Sequence, residues 1–397
     1  MRAATARVPI EFLCARVTSG GTPSRANPSF WEHGTVPWIK TGELKDWYID
    51  DAEERITEEA VLRSSAKVFP ANTVLMAMYG DGKTITSLGI IRNAAATNQA
   101  CCAMIADPKR CHFLYLFYAL KYHRHELLKL VVAGAQRNLS GGIIRTFKVL
   151  APGLATQRRI ADVLSNYDDL VETNRRRMAL LEKAARLLYE EWFVHLRFPG
   201  HERTRMIDGL PQGWQQVPFS ALADFVNGYP FKPEDLGDGG LPIVKIPELR
   251  AGISPKTPRN TGENIPEKYL LQDGDLLFSW SGTLLVEFWY DGPAILNQHL
   301  FRVETKASCA PVFMLQALRR ALPEFANQTT GATLKHIRKS ALTTVKTILP
   351  PRALLTHFDE FASMVYRQIL NLRRQNSNLV KARDILLPRL MSGEIAV

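Results

Sequence analysis

The chain carries the same pattern twice. Residues 34–44 read GTVPWIKTGEL and residues 239–249 read GGLPIVKIPEL, in step and without a gap. Gly34, Pro37, Lys40, Glu43 and Leu44 match Gly239, Pro242, Lys245, Glu248 and Leu249. The match continues at Asn98-Gln99 against Asn297-Gln298 and at Gly134-Ala135 against Gly331-Ala332. Each copy ends in a long helical pattern, near 157–193 and 356–392. A duplication of this size restricts the chain to two versions of one architecture, before any local reading is made. It also predicts a target that itself has two parts.

At 397 residues there is room for two or three domains, each with its own core. No apolar run approaches the roughly 18–20 residues of a membrane span. The opening Met-Arg-Ala-Ala-Thr-Ala-Arg lacks the apolar stretch of a signal peptide, so a cytoplasmic protein without membrane contact is expected. Five cysteines without C-x-x-C spacing read as reduced core residues, and nine scattered histidines show no metal spacing.

The net charge of +11 is unevenly placed: +6 over 1–152, +1 over 153–199, +1 over 200–350 and +3 over 351–397. Each copy nevertheless holds a matching stretch without acids. Between Glu126 and Asp162 lie Lys129, Arg137, Arg145, Lys148, Arg158 and Arg159. Between Glu324 and Asp359 lie Lys335, Arg338, Lys339, Lys346 and Arg352. Cations without neighbouring carboxylates suit a phosphate backbone, and their recurrence favours nucleic acid over an incidentally basic surface.

Short β-prone runs with turn signals, such as Val36–Ile39, Thr73–Met78, Leu241–Ile246 and Asp275–Trp280, alternate with helical stretches near 112–131 and 311–322. This mixture predicts an α+β module with an irregular sheet. In the long helices the apolar positions keep a 3.5-residue step. One seam runs Ile160, Leu164, Tyr167, Val171, Asn174, Met178, Leu181, Ala185, Leu188, Trp192; the other runs Phe358, Ala362, Val365, Ile369, Leu372, Asn376, Leu379, Arg383, Leu386, Leu390. Laid antiparallel, they place Ile160 against Leu390, Trp192 against Phe358 and Asn174 against Asn376, a polar pair that would fix register. Tyr167 then falls opposite Arg383. Thr356 with Asp359 is expected to cap the second helix, and Pro388 to kink or end it before Leu390.

Motifs for chemistry are incomplete. Asn27-Pro28-Ser29-Phe30 nearly spells the N-P-P-F/Y of amino-methyltransferases, but no glycine-rich strand-to-helix turn accompanies it. Gly82-Lys83-Thr84 ends like a phosphate loop whose first glycine is replaced by Ala77. Glu43-Leu44-Lys45 has the E-x-K ending of a nuclease without an evident partner carboxylate. No catalytic residue and no metal ligand is assigned. A methyltransferase or nuclease with a duplicated DNA-binding domain remains the rival reading.

Asn174-Arg175-Arg176-Arg177 followed by LLEKAARLLYEEWFVHLRFPGHE (180–202), GLPQGW (209–214), AMYGDGKTITSLGIIRNAAATNQACCAMI (77–105), GDLLFSWSGT (274–283) and LLPRLMSGEI (386–395) together resemble the specificity subunits of type I DNA restriction-modification systems. The resemblance covers essentially the whole chain. The first half lacks the G-L-P-x-G-W opening, and Gln157 of the first helix entry is replaced by Thr356 in the second.

The resemblance implies two repeated α/β target-recognition domains, 1–152 and 200–350. Two long helices, 153–199 and 351–397, would separate them and form an antiparallel coiled coil. It implies a non-catalytic subunit that reads a bipartite, asymmetric site in double-stranded DNA. Two modification subunits and restriction subunits would be the partners, and these would carry S-adenosylmethionine, ATP and Mg2+.

Base readout needs side chains that reach groove edges. The candidates on glycine-rich loops are Lys83, Thr84, Gln136, Arg137 and Asn138 in the first module, and Trp280, Ser281, Thr333, Lys335 and His336 in the second. Asn98, Gln99, Asn297 and Gln298 are expected to hold loop backbone.

Overall fold

The computed structural model describes residues 6–80, 84–131, 138–330 and 336–397. They form two compact units, one of residues 1–173 with 376–397 and one of 174–375. Each unit holds one copy of the repeat and a stretch of both long helices.

In the first unit a five-stranded sheet has the order Cys14–Ser19, Cys101–Ala106, Val74–Ala77, Leu88–Ile91, Trp47–Ile49. A four-stranded sheet has the order Glu54–Ile56, Val36–Ile39, Ala95–Thr97, Val68–Phe69. The second unit repeats the plan. Ala223–Asn227, Leu300–Thr305, Leu276–Ser279 and Val286–Phe288 form one sheet; Arg259–Asn260, Leu241–Val244, Ala294–Leu296 and Leu270–Leu271 form the other. In both, the strand carrying the repeat's proline runs parallel to its neighbour, Trp38 beside Ala96 and Ile243 beside Ile295. A buried helix, Phe113–Tyr122 or Pro311–Asn327, completes each core. This is the expected α+β class, present twice. All five cysteines are buried and free.

The shared Lys-x-x-Glu-Leu closes the turn after that strand. Glu43 Oε2 accepts from the Lys40 amide at 2.6 Å, and Glu248 Oε2 from the Lys245 amide at 3.1 Å. The second oxygen is also used, by the Glu53 amide at 2.8 Å and by Thr257 Oγ1 at 3.2 Å. Leu44 and Leu249 are buried behind the turn. Asn27 likewise serves local structure: its Oδ1 accepts from the Ser29 amide at 3.2 Å and from Ser29 Oγ at 2.9 Å. Both rival catalytic motifs are therefore occupied with capping backbone.

Another equivalence was not visible in the aligned letters. A Cβ on Gly20 would sit 2.1 Å from the Thr97 carbonyl oxygen, and one on Gly228 2.2 Å from that of Asn297. Only glycine permits this approach of two backbones. The next residue then donates its amide across the gap, Gly21 to Thr97 and Tyr229 to Leu296, both at 2.9 Å.

The first long helix runs Leu154–Tyr189 and continues into a π-turn at Glu190–Val194; the second runs Arg352–Met391. Their 36 and 40 residues correspond to about 54 and 60 Å. Both begin a turn earlier than the sequence pattern indicates. Thr356 therefore lies inside its helix, and its Oγ1 donates to the Arg352 carbonyl at 3.0 Å rather than accepting at a cap. Asp359 accepts instead from Ser363 Oγ at 2.8 Å. Pro388 does not stop the helix. It lies in the last turn, where its missing N–H costs one bond and the turn still closes through Ser392 N to Pro388 O at 2.9 Å.

In each unit the helix stretches are antiparallel. In the first, Asp168 meets Arg383, and Asn376 Nδ2 donates to the Val171 carbonyl at 3.2 Å. In the second, Glu182 lies 3.9 Å from Arg373, and Trp192 packs on Phe358 with centroids 6.1 Å apart. Asn174 is buried in the second unit. The expected partner of Arg383, Tyr167, is replaced by its neighbour. The buried line steps Ile160, Leu164, Asp168, Val171, so two consecutive four-residue steps carry the seam onto Asp168. The second Asp168 oxygen accepts from Tyr118 Oη at 2.7 Å, and Arg383 also holds Asp384 at 2.7–2.9 Å.

Gln157 ties the start of the first helix to its module. It is 1% exposed; Oε1 accepts from the His112 amide at 3.0 Å, and Nε2 donates to the Arg110 and Pro152 carbonyls at 3.0 and 2.8 Å. Gln157→Leu is expected to destabilise the protein by about 1–3 kcal/mol, since three part-buried main-chain groups lose their partner at once. Thr356→Ala, at the exposed counterpart, should change stability by less than about 0.5 kcal/mol. Urea unfolding of the two variants checks the contrast.

Candidate nucleic-acid interface

Each copy builds a junction of the same kind from three segments joined by main-chain bonds. In the first unit the strand Val74–Ala77 leads into Met78, whose amide donates to the Ala100 carbonyl at 2.8 Å. The Met78 carbonyl accepts from Leu139 N at 2.9 Å, and Tyr79 bridges Asn138. In the second unit Trp280 N donates to the His299 carbonyl at 3.4 Å, the Trp280 carbonyl accepts from Ile337 N at 2.9 Å, and Ser281 bridges His336. The Asn-Gln turn is fixed the same way in both. Asn98 N donates to Ile39 O at 3.0 Å, and Asn297 N to Val244 O at 3.1 Å.

On this shared frame the side chains differ. Met78, Tyr79, Ala100 and Asn138 stand where Trp280, Ser281, His299 and His336 stand. The sequence candidates fall on the junction. Asn138 and His336 sit on its third segment, and Trp280 and Ser281 on its first. Thr84 lies in the turn after Gly80, where its carbonyl accepts from Ser87 N at 3.0 Å. Lys83, Gln136, Arg137, Thr333 and Lys335 lie outside the described residues.

Chemistry narrows what each can offer. The Trp280 N–H is committed to Asn227 Oδ1 at 3.0 Å and the Gln298 carbonyl at 3.1 Å, leaving a ring face rather than a donor. Ser281 is buried, so it shapes the junction. Asn297 holds its turn as expected, its Oδ1 accepting from His299 N at 3.3 Å, and Gln99 accepts from Thr22. Buried polar atoms are normally paired. Among the described residues several buried side-chain atoms lack a partner, Trp47 Nε1, Thr86 Oγ1, His112 Nδ1 and Arg124 Nε among them, and Asn98 Oδ1, Asn138 Oδ1, His299 Nδ1 and His336 Nδ1 are those that belong to the junctions.

Cations are treated differently in different places. Arg124 pairs with Asp46, Lys40 with Glu53 and Glu54, Arg302 with Glu304, and Arg319 with Glu287. In the acid-free stretches Lys129, Arg145, Lys148, Arg158 and Arg159 are exposed, as are Arg338, Lys339, Lys346 and Arg352. Among the described residues none of these nine makes an ion pair. An exposed cation without a carboxylate keeps its full attraction for phosphate. Among the described residues no cluster of three or more His, Cys, Asp or Glu could hold a metal ion, and no helix is long and apolar enough to cross a membrane.

Comparison with known proteins decides the family. The model of the type I restriction modification DNA specificity domain matches residues 14–183 and 211–353, one match for each copy of the repeat. The chain belongs to that specificity-domain family. It is 27% identical to the MjaIX type I restriction enzyme specificity subunit of Methanocaldococcus jannaschii, over 96% of this chain and 91% of that protein. To the EcoR124I/EcoR124II specificity subunit of Escherichia coli it is 30% identical over 39% of each. The crystal structure of a type I restriction-modification S subunit from M. genitalium shares the fold. Its TM-score is 0.59 at 16% identity, covering 97% of this chain and 96% of that one.

Within this specificity-domain framework, the sequence reading missed Ala100, His299 and the Gly20/Gly228 crossing. His299 follows a matched Asn-Gln pair, and that adjacency was the available signal.

Proposed function

We propose that this chain is the non-catalytic specificity subunit of a type I restriction-modification enzyme. Module 1–152 reads one half of a bipartite, asymmetric duplex site and module 200–350 reads the other. The long helices at 153–199 and 351–397 set the spacer and dock two modification subunits. S-adenosylmethionine, ATP and Mg2+ act on the modification and restriction subunits. The observation that carries this reading is the duplicated junction, with one main-chain frame and two different sets of side chains. A shared frame with unlike contact groups suits two recognition events of the same geometry and different sequence. Unpaired cations supply affinity for the backbone, and junction side chains supply sequence preference.

The purified chain is expected to bind duplex DNA with a steep salt dependence. Each phosphate contact contributes roughly 0.9 to the slope of log K against log salt, so four contacts give about 3.6. Radiolabelled S-adenosylmethionine should transfer no methyl group to DNA until a modification subunit is added. Methyl transfer by the chain alone, or salt-insensitive binding, would refute the reading.

A further inference from the structure

We infer that His299 and His336 form a pair of N–H donors that reads a guanine in the second half-site. The inference rests on the proposed function and assigns its chemistry to residues of the second module.

Matching main-chain bonds place Ala100 where His299 stands and Asn138 where His336 stands. The frame closes equally well with a methyl group and an amide. Two imidazoles are thus not required by the fold, and they distinguish the second module from the first.

The Trp280 indole is fixed by its bonds to Asn227 and Gln298. His336 and His299 lie 5.6 and 5.9 Å from it, centroid to centroid. The His299 amide is held by Asn297 Oδ1, and the His336 main chain pairs with Ser281. Both residues are half-buried, so part of each stays at the surface on a rigid support.

Nδ1 of each ring is buried, without a partner among the described residues. A proton there would be a buried donor with nothing to meet, and a charged ring would be worse. The titratable groups that face His299 are His336 and Lys245, neither of which stabilises a cation. Burial first, then His336 and Lys245, holds His299 below the usual histidine range. The N–H of each ring is therefore assigned to Nε2, the nitrogen that is not buried without a partner. Guanine is the base whose major-groove edge offers two acceptors, N7 and O6, and no donor.

The test uses the full chain with its modification subunit. Methylated motifs read in cells should show guanine in the half-site that the second module reads. His299→Gln, whose amide nitrogen can stand in for Nε2–H, should keep that guanine. His299→Leu and His299→Asn should relax that position and leave the first half-site unchanged, which also shows that the variants fold. In vitro, 7-deazaguanine at that position removes the N7 acceptor. It should weaken wild-type binding by about tenfold or more and leave His299→Leu indifferent. A second half-site without guanine, or equal tolerance of 7-deazaguanine by both proteins, would overturn the inference. If instead the chain fails to bind DNA at all, the proposed function itself is lost.

Discussion

Replacing residues 1–152 with the corresponding module of a related specificity subunit is expected to change one half of the methylated site completely. The other half and the spacer should survive. The expectation comes from the way each junction is closed. Met78 bonds to both Ala100 and Leu139, and Trp280 to both His299 and Ile337. Among the described residues, each junction is closed by main-chain bonds within its own copy. The second module and most of both helices stay intact in such a hybrid, although the Gln157 and Tyr118 contacts need matching partners in the incoming module. Methylation in cells carrying the hybrid and its modification subunit gives the result directly. If both halves change together, the modules are not independent readers.

The second large effect concerns stability. Arg383→Met should cost about 3–5 kcal/mol, because it leaves the Asp168 carboxylate buried and uncompensated. A loss of that size is a large share of the roughly 5–15 kcal/mol that holds a typical domain together. The double variant Asp168→Leu/Arg383→Met removes both charges and should recover most of the loss, even though Tyr118 Oη then lacks its acceptor. Adding Tyr118→Phe removes that remaining orphan. Equilibrium unfolding in urea of the single, double and triple variants gives the cycle. If Arg383→Met is as stable as the parent, Asp168 is solvated and the buried pair has no structural weight.

Which parts of the fold are legible in the sequence has a physical basis. The long helices were legible because burial of a helix face forces a 3.5–3.6 residue period on the apolar residues. Their starts were misplaced by a turn because Thr356 and Asp359 carry the letters of a cap, while the chain already turns helical after Pro351. The repeat was legible because Lys40–Leu44 and Lys245–Leu249 solve the same local problem, a carboxylate folded back on an amide. An apolar pattern assigns the seam to Tyr167 and hides Asp168, and only tertiary packing reveals that Arg383 needs an acid there. Gly20 and Gly228 sit in unlike surroundings, Ser19-Gly20-Gly21 and Asn227-Gly228-Tyr229, so no alignment singled them out. The junction was half legible. Asn138, Trp280, Ser281 and His336 were found as loop residues, but His299 joins them only through a bond to Trp280.

That the junctions are tied together by peptide groups has an evolutionary consequence. A contact surface built from interlocking side chains can change its preference only by first weakening its own support. Here the support is made of atoms that every residue except proline possesses. Most substitutions at the positions of Ala100 and His299, or of Asn138 and His336, leave it standing. New preferences can then accumulate one substitution at a time without passing through unfolded intermediates. Such a lineage would diversify its targets quickly while its folding machinery drifts slowly, as two halves of one chain have done here.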